Sequence, residues 1–213
     1  MRWIPYLLSK GAQMIKINNY ISYIPATNTP LSADVCFIEC THKVYIFDVG
    51  SNQESLNEIN NLIKEKTVIL SHFHQDHCNN IKKLLPVEIY LGKKTFDYVK
   101  SGKIINEKIM IKDGITLEII PIPSTHSKGS LVLNCNYEYL FVGDALYMTT
   151  IDNKKVYNVQ LLKETIESLK RINTKFILLS HDEKFIYTKE EVIKELEEYY
   201  SKRIQNNPYI YYC

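Results

Sequence analysis

Long hydrophobic runs are missing from this chain. No apolar stretch approaches the roughly 20 residues of a membrane span, so the sequence predicts no membrane partner. Cysteine is sparse, and the five residues (Cys36, Cys40, Cys78, Cys135, Cys213) form no C-x-x-C pair. An odd, scattered set fits reduced thiols in a cytoplasm better than a disulfide framework. An excess of one charge is also absent: the net charge is +2 and there is no basic tract. Sequence-specific nucleic-acid binding therefore has no electrostatic footprint. No G-x-S-x-G is present, so the usual signal for a serine nucleophile is lacking. The opening M-R-W-I-P-Y-L-L-S-K-G-A-Q offers only a short apolar patch broken by Pro5, a poor signal peptide.

What remains is ordinary for a globular protein. At 213 residues, 45% apolar and 23% charged, the chain can build one domain over residues 1–213. Residues 1–13 read as an extension ahead of the strand-like M-I-K-I-N-N-Y-I-S-Y-I that starts at Met14. Strand and helix signals then alternate. A-D-V-C-F-I-E-C (33–40) and K-V-Y-I-F-D-V-G (43–50) are rich in strand formers, with a hairpin turn at Thr41-His42. Leu56, Ile59 and Ile63 predict a helix over 53–65, followed by a short strand at 67–70. A helix at 79–85, a strand at 87–91 and a helix near 93–100 complete the first half. The second half begins with a strand at 115–119, then L-V-L-N-C and E-Y-L-F-V-G joined at Asn136-Tyr137. A helix over 160–172 and the strand K-F-I-L-L-S-H (175–181) follow. Thr188 and Glu191 form a capping-box pattern for a last helix to about 205.

The halves rhyme. Y-I-F-D-V-G, a helix and V-I-L-S-H are echoed by Y-L-F-V-G-D, a helix and I-L-L-S-H. Two similar units of this kind predict two stacked sheets with helices outside, their loops converging on one edge.

The densest chemistry lies in S-H-F-H-Q-D-H-C (71–78), which holds three of the six histidines. Imidazole and carboxylate are leading ligands for zinc, manganese and iron. His72 and His74 leave an extended segment on one face, whereas Asp76 and His77 diverge. Such a loop can serve two ions more readily than one, provided further ligands arrive from elsewhere. His126 in P-S-T-H-S-K-G-S, Asp144 after one strand and His181 after another are candidates. Cys78 reads as a small buried hydrophobe and His42 as a turn residue.

Together these residues resemble the metallo-β-lactamase-fold metallohydrolases. H-x-H-x-D-H appears as His72-Phe73-His74-Gln75-Asp76-His77, and the strand-end aspartate of that family resembles Asp48 in I-F-D-V-G. T-H-S-K-G-S resembles the family's later histidine loop, F-V-G-D-A its bridging aspartate and L-L-S-H its last histidine. The resemblance spans about residues 33–185. It implies a four-layer αβ/βα sandwich of the α+β class, similar to small glyoxalase II or lactonase-like members. It also implies two divalent ions per chain, zinc foremost, with iron or manganese as alternatives. The first ion would take His72, His74 and His126; the second Asp76, His77 and His181; Asp144 would bridge, and Asp48 would support the loop from behind. Ser127-Lys128 departs from the family's usual loop, and Asp144 stands where well-known zinc β-lactamases carry cysteine.

The implied activity is hydrolysis of a small ester, thioester or lactone. Two adjacent ions lower the pKa of a shared water from about 15.7 to about 7. Asp76 and Asp144 could then handle protons, and Lys128 could meet an anionic substrate group. The alternatives are a metal-dependent phosphodiesterase or nuclease, an iron-dependent persulfide dioxygenase, and a binding module with a structural metal. The tyrosine-rich tail N-N-P-Y-I-Y-Y-C could pack on another copy in a homo-oligomer.

Overall fold

The computed structural model describes residues 14–85 and 87–212, so the extension expected at 1–13 lies outside the described residues. Two sheets carry the architecture. The first runs, in spatial order, through Ile15–Lys16, Ile21–Ile24, Val35–Glu39, Lys43–Phe47, Glu65–Ile69, Glu88–Leu91 and Lys103–Ile104. The second runs through Ile109–Asp113, Ile115–Ile122, Ser130–Cys135, Tyr139–Gly143, Phe176–Leu179 and Ile186–Thr188.

The two-residue period of a strand explains how they stack. Cys36, Ile38, Tyr45 and Phe47 leave one face of the first sheet and meet Leu117, Ile119, Leu133 and Phe141 of the second. Their alternates Val35, Phe37, Val44 and Ile46 face outward and pack with Ile59 of the helix Gln53–Asn61. On the second sheet, Leu140, Val142, Ile177 and Leu179 face out beneath the helices Val159–Arg171 and Lys189–Ser201. The central strands are thus apolar on both faces because each sheet is covered twice. The result is the expected four-layer sandwich of the α+β class.

Local signals place the outer helices. Leu162, Ile166 and Leu169 are buried along Val159–Arg171, and each such burial contributes about 1.5–3 kcal/mol. Asn158 Oδ1 caps that helix by accepting from Leu161 N at 3.0 Å. The capping box of Thr188 and Glu191 forms as expected.

Each half contains a parallel strand pair joined through a helix. Lys43–Phe47 pairs with Glu65–Ile69 across Gln53–Asn61, and Tyr139–Gly143 pairs with Phe176–Leu179 across Val159–Arg171. In register, Phe47 lies opposite Ile69 and Gly143 opposite Leu179. Asp48, Ser71, Asp144 and Ser180 therefore all follow the carboxyl ends of parallel strands.

Several boundaries differ from expectation. The helix predicted over 53–65 stops at Asn61, Leu62 turns extended, and Ile63 is fully exposed. Tertiary pairing overrides the apolar stripe here, because the strand must start at Glu65 to meet Lys43. Residues 79–85 are not an α-helix: a short turn Gln75–Cys78 tightens into a 3₁₀ segment Asn79–Lys83. The clamp is Asn80, fully buried, whose Nδ2 donates to Val49 O at 3.1 Å and Asn52 O at 2.8 Å. The last helix ends at Ser201, short of 205. Tyr209–Tyr211 of the tail pairs with Lys154–Asn158, which also pairs with Thr149–Ile151. The tyrosine-rich tail is thus built into the chain's own third sheet, with Ile210 buried. The turn at Asn136-Tyr137 forms as expected, both residues at positive φ (53° and 57°).

Candidate metal centre

The loop that follows Glu65–Ile69 is anchored before it presents any ligand. Ser71 N and Ser71 Oγ donate to Asp48 Oδ1 and Oδ2 at 2.8 and 2.7 Å. Ser71 Oγ lies 2.9 Å from His72 Nδ1, and His77 Nδ1 lies 2.7 Å from Asp48 Oδ2. With the serine hydrogen given to Asp48, His72 Nδ1 donates to Ser71 Oγ. Both rings then turn Nε2 inward, the orientation that a carboxylate behind a histidine imposes at metal sites.

Two groups of side chains result. His72, His74, His126 and Asp144 form a histidine-rich group, and Asp76, His77, Asp144 and His181 an acid-rich group. Within each, one ligand atom per residue lies within 4.8 Å of the others. His126 Nε2 is 3.0 Å from His74 Nδ1 and 3.3 Å from Asp144 Oδ2. His181 Nε2 is 2.9 Å from Asp76 Oδ2, and His77 Nε2 is 3.3 Å from Asp144 Oδ1. Ligands set tetrahedrally around an ion at 2.0–2.1 Å stand roughly 3.4 Å apart, so the spacing suits first-row divalent cations.

Two observations test that fit. His72 is 1% exposed, yet among the described residues its Nε2 has no hydrogen-bond partner. Buried polar atoms are rarely left without a partner. In addition, imidazole nitrogens face one another at 3.0 Å (His74 and His126) and 3.4 Å (His77 and His181). Lone pairs at that separation call for a proton or a cation between them.

No family model matches the chain. An uncharacterized protein of Methanocaldococcus jannaschii is 37% identical over 60 residues, a match spanning 26% of this chain and 23% of that protein. Solved structures align much more widely. The DIM-1 metallo-β-lactamase superposes with TM-score 0.69 at 14% identity, over 89% of this chain and 96% of its own. A metallo-β-lactamase from Pontibacter korlensis gives 0.67 at 14% identity, over 88% and 98%. A structure described as the peroxy diiron species of the chemotaxis sensor ODP gives 0.66 at 17% identity, over 87% and 93%.

This is the metallo-β-lactamase fold.

On that fold, electrostatics divide the two groups. Burial first, then the charge of His77, holds His72 well below the usual histidine range. Burial likewise lowers His74 and His126. The three histidines of this group are therefore neutral and ready to donate lone pairs. Burial opposes charge on His77 too, but Asp144 and Asp48 outweigh it and raise its pKa well above normal. His181 is raised in spite of burial by Asp76 and Asp144. Asp144 itself is held well below the carboxylate range: burial would raise it, but His77 and His181 prevail.

The structure brings the seven candidate side chains together, with Asp48 against His77 Nδ1 and, through Ser71 Oγ, behind His72. Lys128 does not join them: it is exposed, and the described residues give it no ion pair. Cys78 is buried and donates to Phe73 O at 3.3 Å. The sequence reading missed Asp34 and the two serines. Asp34 is buried, accepts from Ser180 Oγ at 3.1 Å and from His181 N at 2.9 Å. The repeated Ser-His pair is the local signal for the two serines, and Asp34 has none.

Proposed function

We propose that the chain is a dinuclear metal-dependent hydrolase of a small ester, thioester or lactone, with zinc as its principal metal, acting in the cytoplasm. The observation that carries this reading is the division of Asp144: Oδ2 lies with the histidine-rich group and Oδ1 with the acid-rich group. His72, His74 and His126 would hold one ion, Asp76, His77 and His181 the other, and Asp144 both. Ions so held supply Lewis acidity and a water acidified to about pKa 7.

The chain's own residues supply the rest. Asp48 and Ser71 fix the rings of His72 and His77, so the inward nitrogens are aimed before any ligand arrives. Asp76, half-buried in the acid-rich group, and Asp144, buried between the two groups, can accept and return the proton exchanged during ester cleavage. Lys128, exposed on the loop after His126, can meet an anionic end of the substrate. Net charge of only +2 favours a small substrate over a long polyanion. Among the described residues no helix is long and apolar enough to cross a membrane.

The test combines elemental mass spectrometry with a panel of esters, thioesters, lactones and a generic phosphodiester. Two ions per chain and chelator-sensitive ester or lactone cleavage are expected. Cleavage by metal-free protein would refute the reading. One rival has an observation in its favour, since a diiron chemotaxis sensor and a variant flavo di-iron protein from Thermotoga maritima share the fold. Iron in the purified chain, with oxygen uptake on a persulfide or other reductant, would move the assignment to that chemistry.

A further inference from the structure

The serine of each Ser-His pair donates its hydroxyl to a different carboxylate. Ser71 precedes His72 and is held by Asp48. Ser180 precedes His181 and is held by Asp34, which lies outside the repeated motif. Asp34 Oδ2 accepts from Ser180 Oγ at 3.1 Å and from His181 N at 2.9 Å, while Oδ1 accepts from Ala26 N at 3.1 Å. Asp34 N in turn donates to Ser180 Oγ at 3.1 Å. The residue before it, Ala33, donates its N–H to Asp76 O at 2.9 Å. Two consecutive residues thus grip two members of the acid-rich group, Asp76 and His181, from opposite halves of the chain.

The grip matters because His181 sits at φ 62°, a left-handed conformation that a histidine seldom holds unaided. The hydrogen bond from its N–H to Asp34 is what fixes that peptide, and the peptide fixes where the ring can point. Among the described residues, no hydrogen bond links Asp34 to His72, His74 or His126.

We propose that Asp34 is the positioning residue for the acid-rich group, setting occupancy of the second ion without contacting it and leaving the first ion almost untouched. This inference rests on the two-ion reading above. It treats the centre as unequal by construction: Asp34 reaches across halves to His181 of the acid-rich group, and among the described residues it makes no hydrogen bond to the histidine-rich group.

The experiment titrates metal-free full-length chain with Co²⁺ and follows its visible absorption, for wild type, Asp34→Ala and Asp34→Asn. In wild type two binding steps are expected. Loss of a supporting carboxylate typically costs 10–100-fold in metal affinity. In Asp34→Ala the second step should weaken by that factor, with the first changed less than about threefold. Asp34→Asn keeps an acceptor on one side only and should recover part of the loss. Ser180→Ala, which keeps the carboxylate, serves if Asp34→Ala fails to fold, and should weaken the second step alone. Amide exchange at His181 in metal-free protein gives a readout independent of any ion and should accelerate at least about tenfold in Asp34→Asn. Two undisturbed steps in the variants, or equal weakening of both, would overturn the proposal. A wild-type chain that takes fewer than two ions would instead overturn the reading beneath it.

Discussion

Gly143 packs its bare α-carbon against Ser71: a Cβ built there would fall 2.7 Å from Ser71 Oγ and 2.8 Å from Ser71 Cβ. Gly143 also has φ +54°, a conformation that disfavours any L side chain. Gly143→Ala should therefore cost about 2–5 kcal/mol, adding left-handed strain to overpacking. Denaturant unfolding measures the loss. Because Ser71 must give way, and Ser71 holds Asp48 and His72, metal affinity should fall in the same variant. Unchanged stability and affinity would mean that the strand ends separate more freely than the packing suggests.

Asp144→Asn and His74→Ala probe turnover. Asn keeps the volume of Asp144 but removes the shared negative charge, so the far-ultraviolet circular dichroism should stay close to wild type. Supporting residues alone are worth 10–100-fold, so loss of a shared ligand should reduce kcat/KM by more than about 100-fold. A variant with near-normal turnover would show that Asp144 does not serve both groups.

Metal uptake should be linked to protons unequally. His72, His74 and His126 are held below the usual histidine range and are neutral near pH 7, so an ion binding there displaces no proton from them. His77 and His181 are raised in the metal-free chain, where Asp144 and Asp48, or Asp76 and Asp144, outweigh burial. An ion must therefore displace their protons, and affinity for the second ion rises with pH across the neutral range. Calorimetric titration in buffers of different ionisation enthalpy should show protons released from these histidines in the second step and none from the first group's histidines in the first. Release in the first step would reverse the assignment of the groups.

The four thiols among the described residues should be inert in the folded chain. Burial, aided by Asp48, pushes Cys78 up to about 11, and burial with Asp113 pushes Cys40 up to about 12. Cys36 and Cys135 are also buried and raised. At pH 8 a thiol with a pKa near 11 is roughly one part in a thousand thiolate. Alkylation of these four positions, followed by peptide mass spectrometry, should appear only after denaturation.

The ligands were legible because their chemistry is concentrated. H-x-H-x-D-H is improbable by chance, and the repeat of strand, helix and Ser-His located His181 and Asp144. The stacked sheets were legible for a related reason: the same order of strand, helix and strand recurs in both halves, each with an aspartate and a histidine at strand ends. Other features depend on distant partners. Asn80 sets a 3₁₀ segment only because Val49 and Asn52 lie across from it. Asp34 looks like an ordinary residue ahead of a strand until Ser180, 146 positions away, closes on it. Ile63 fits a helical stripe that sheet pairing interrupts, and the pairing of Tyr209–Tyr211 with Lys154–Asn158 has no local signature at all.

Neither ligand group is complete within one half of the chain. The histidine-rich group requires His126 and Asp144, and the acid-rich group joins Asp76 and His77 to His181. Contacts of such sequence separation close late, because chain entropy must be lost before they are rewarded. A refolding chain should therefore regain its sheets before it can retain an ion tightly. Metal capture then marks the end of assembly rather than its nucleus.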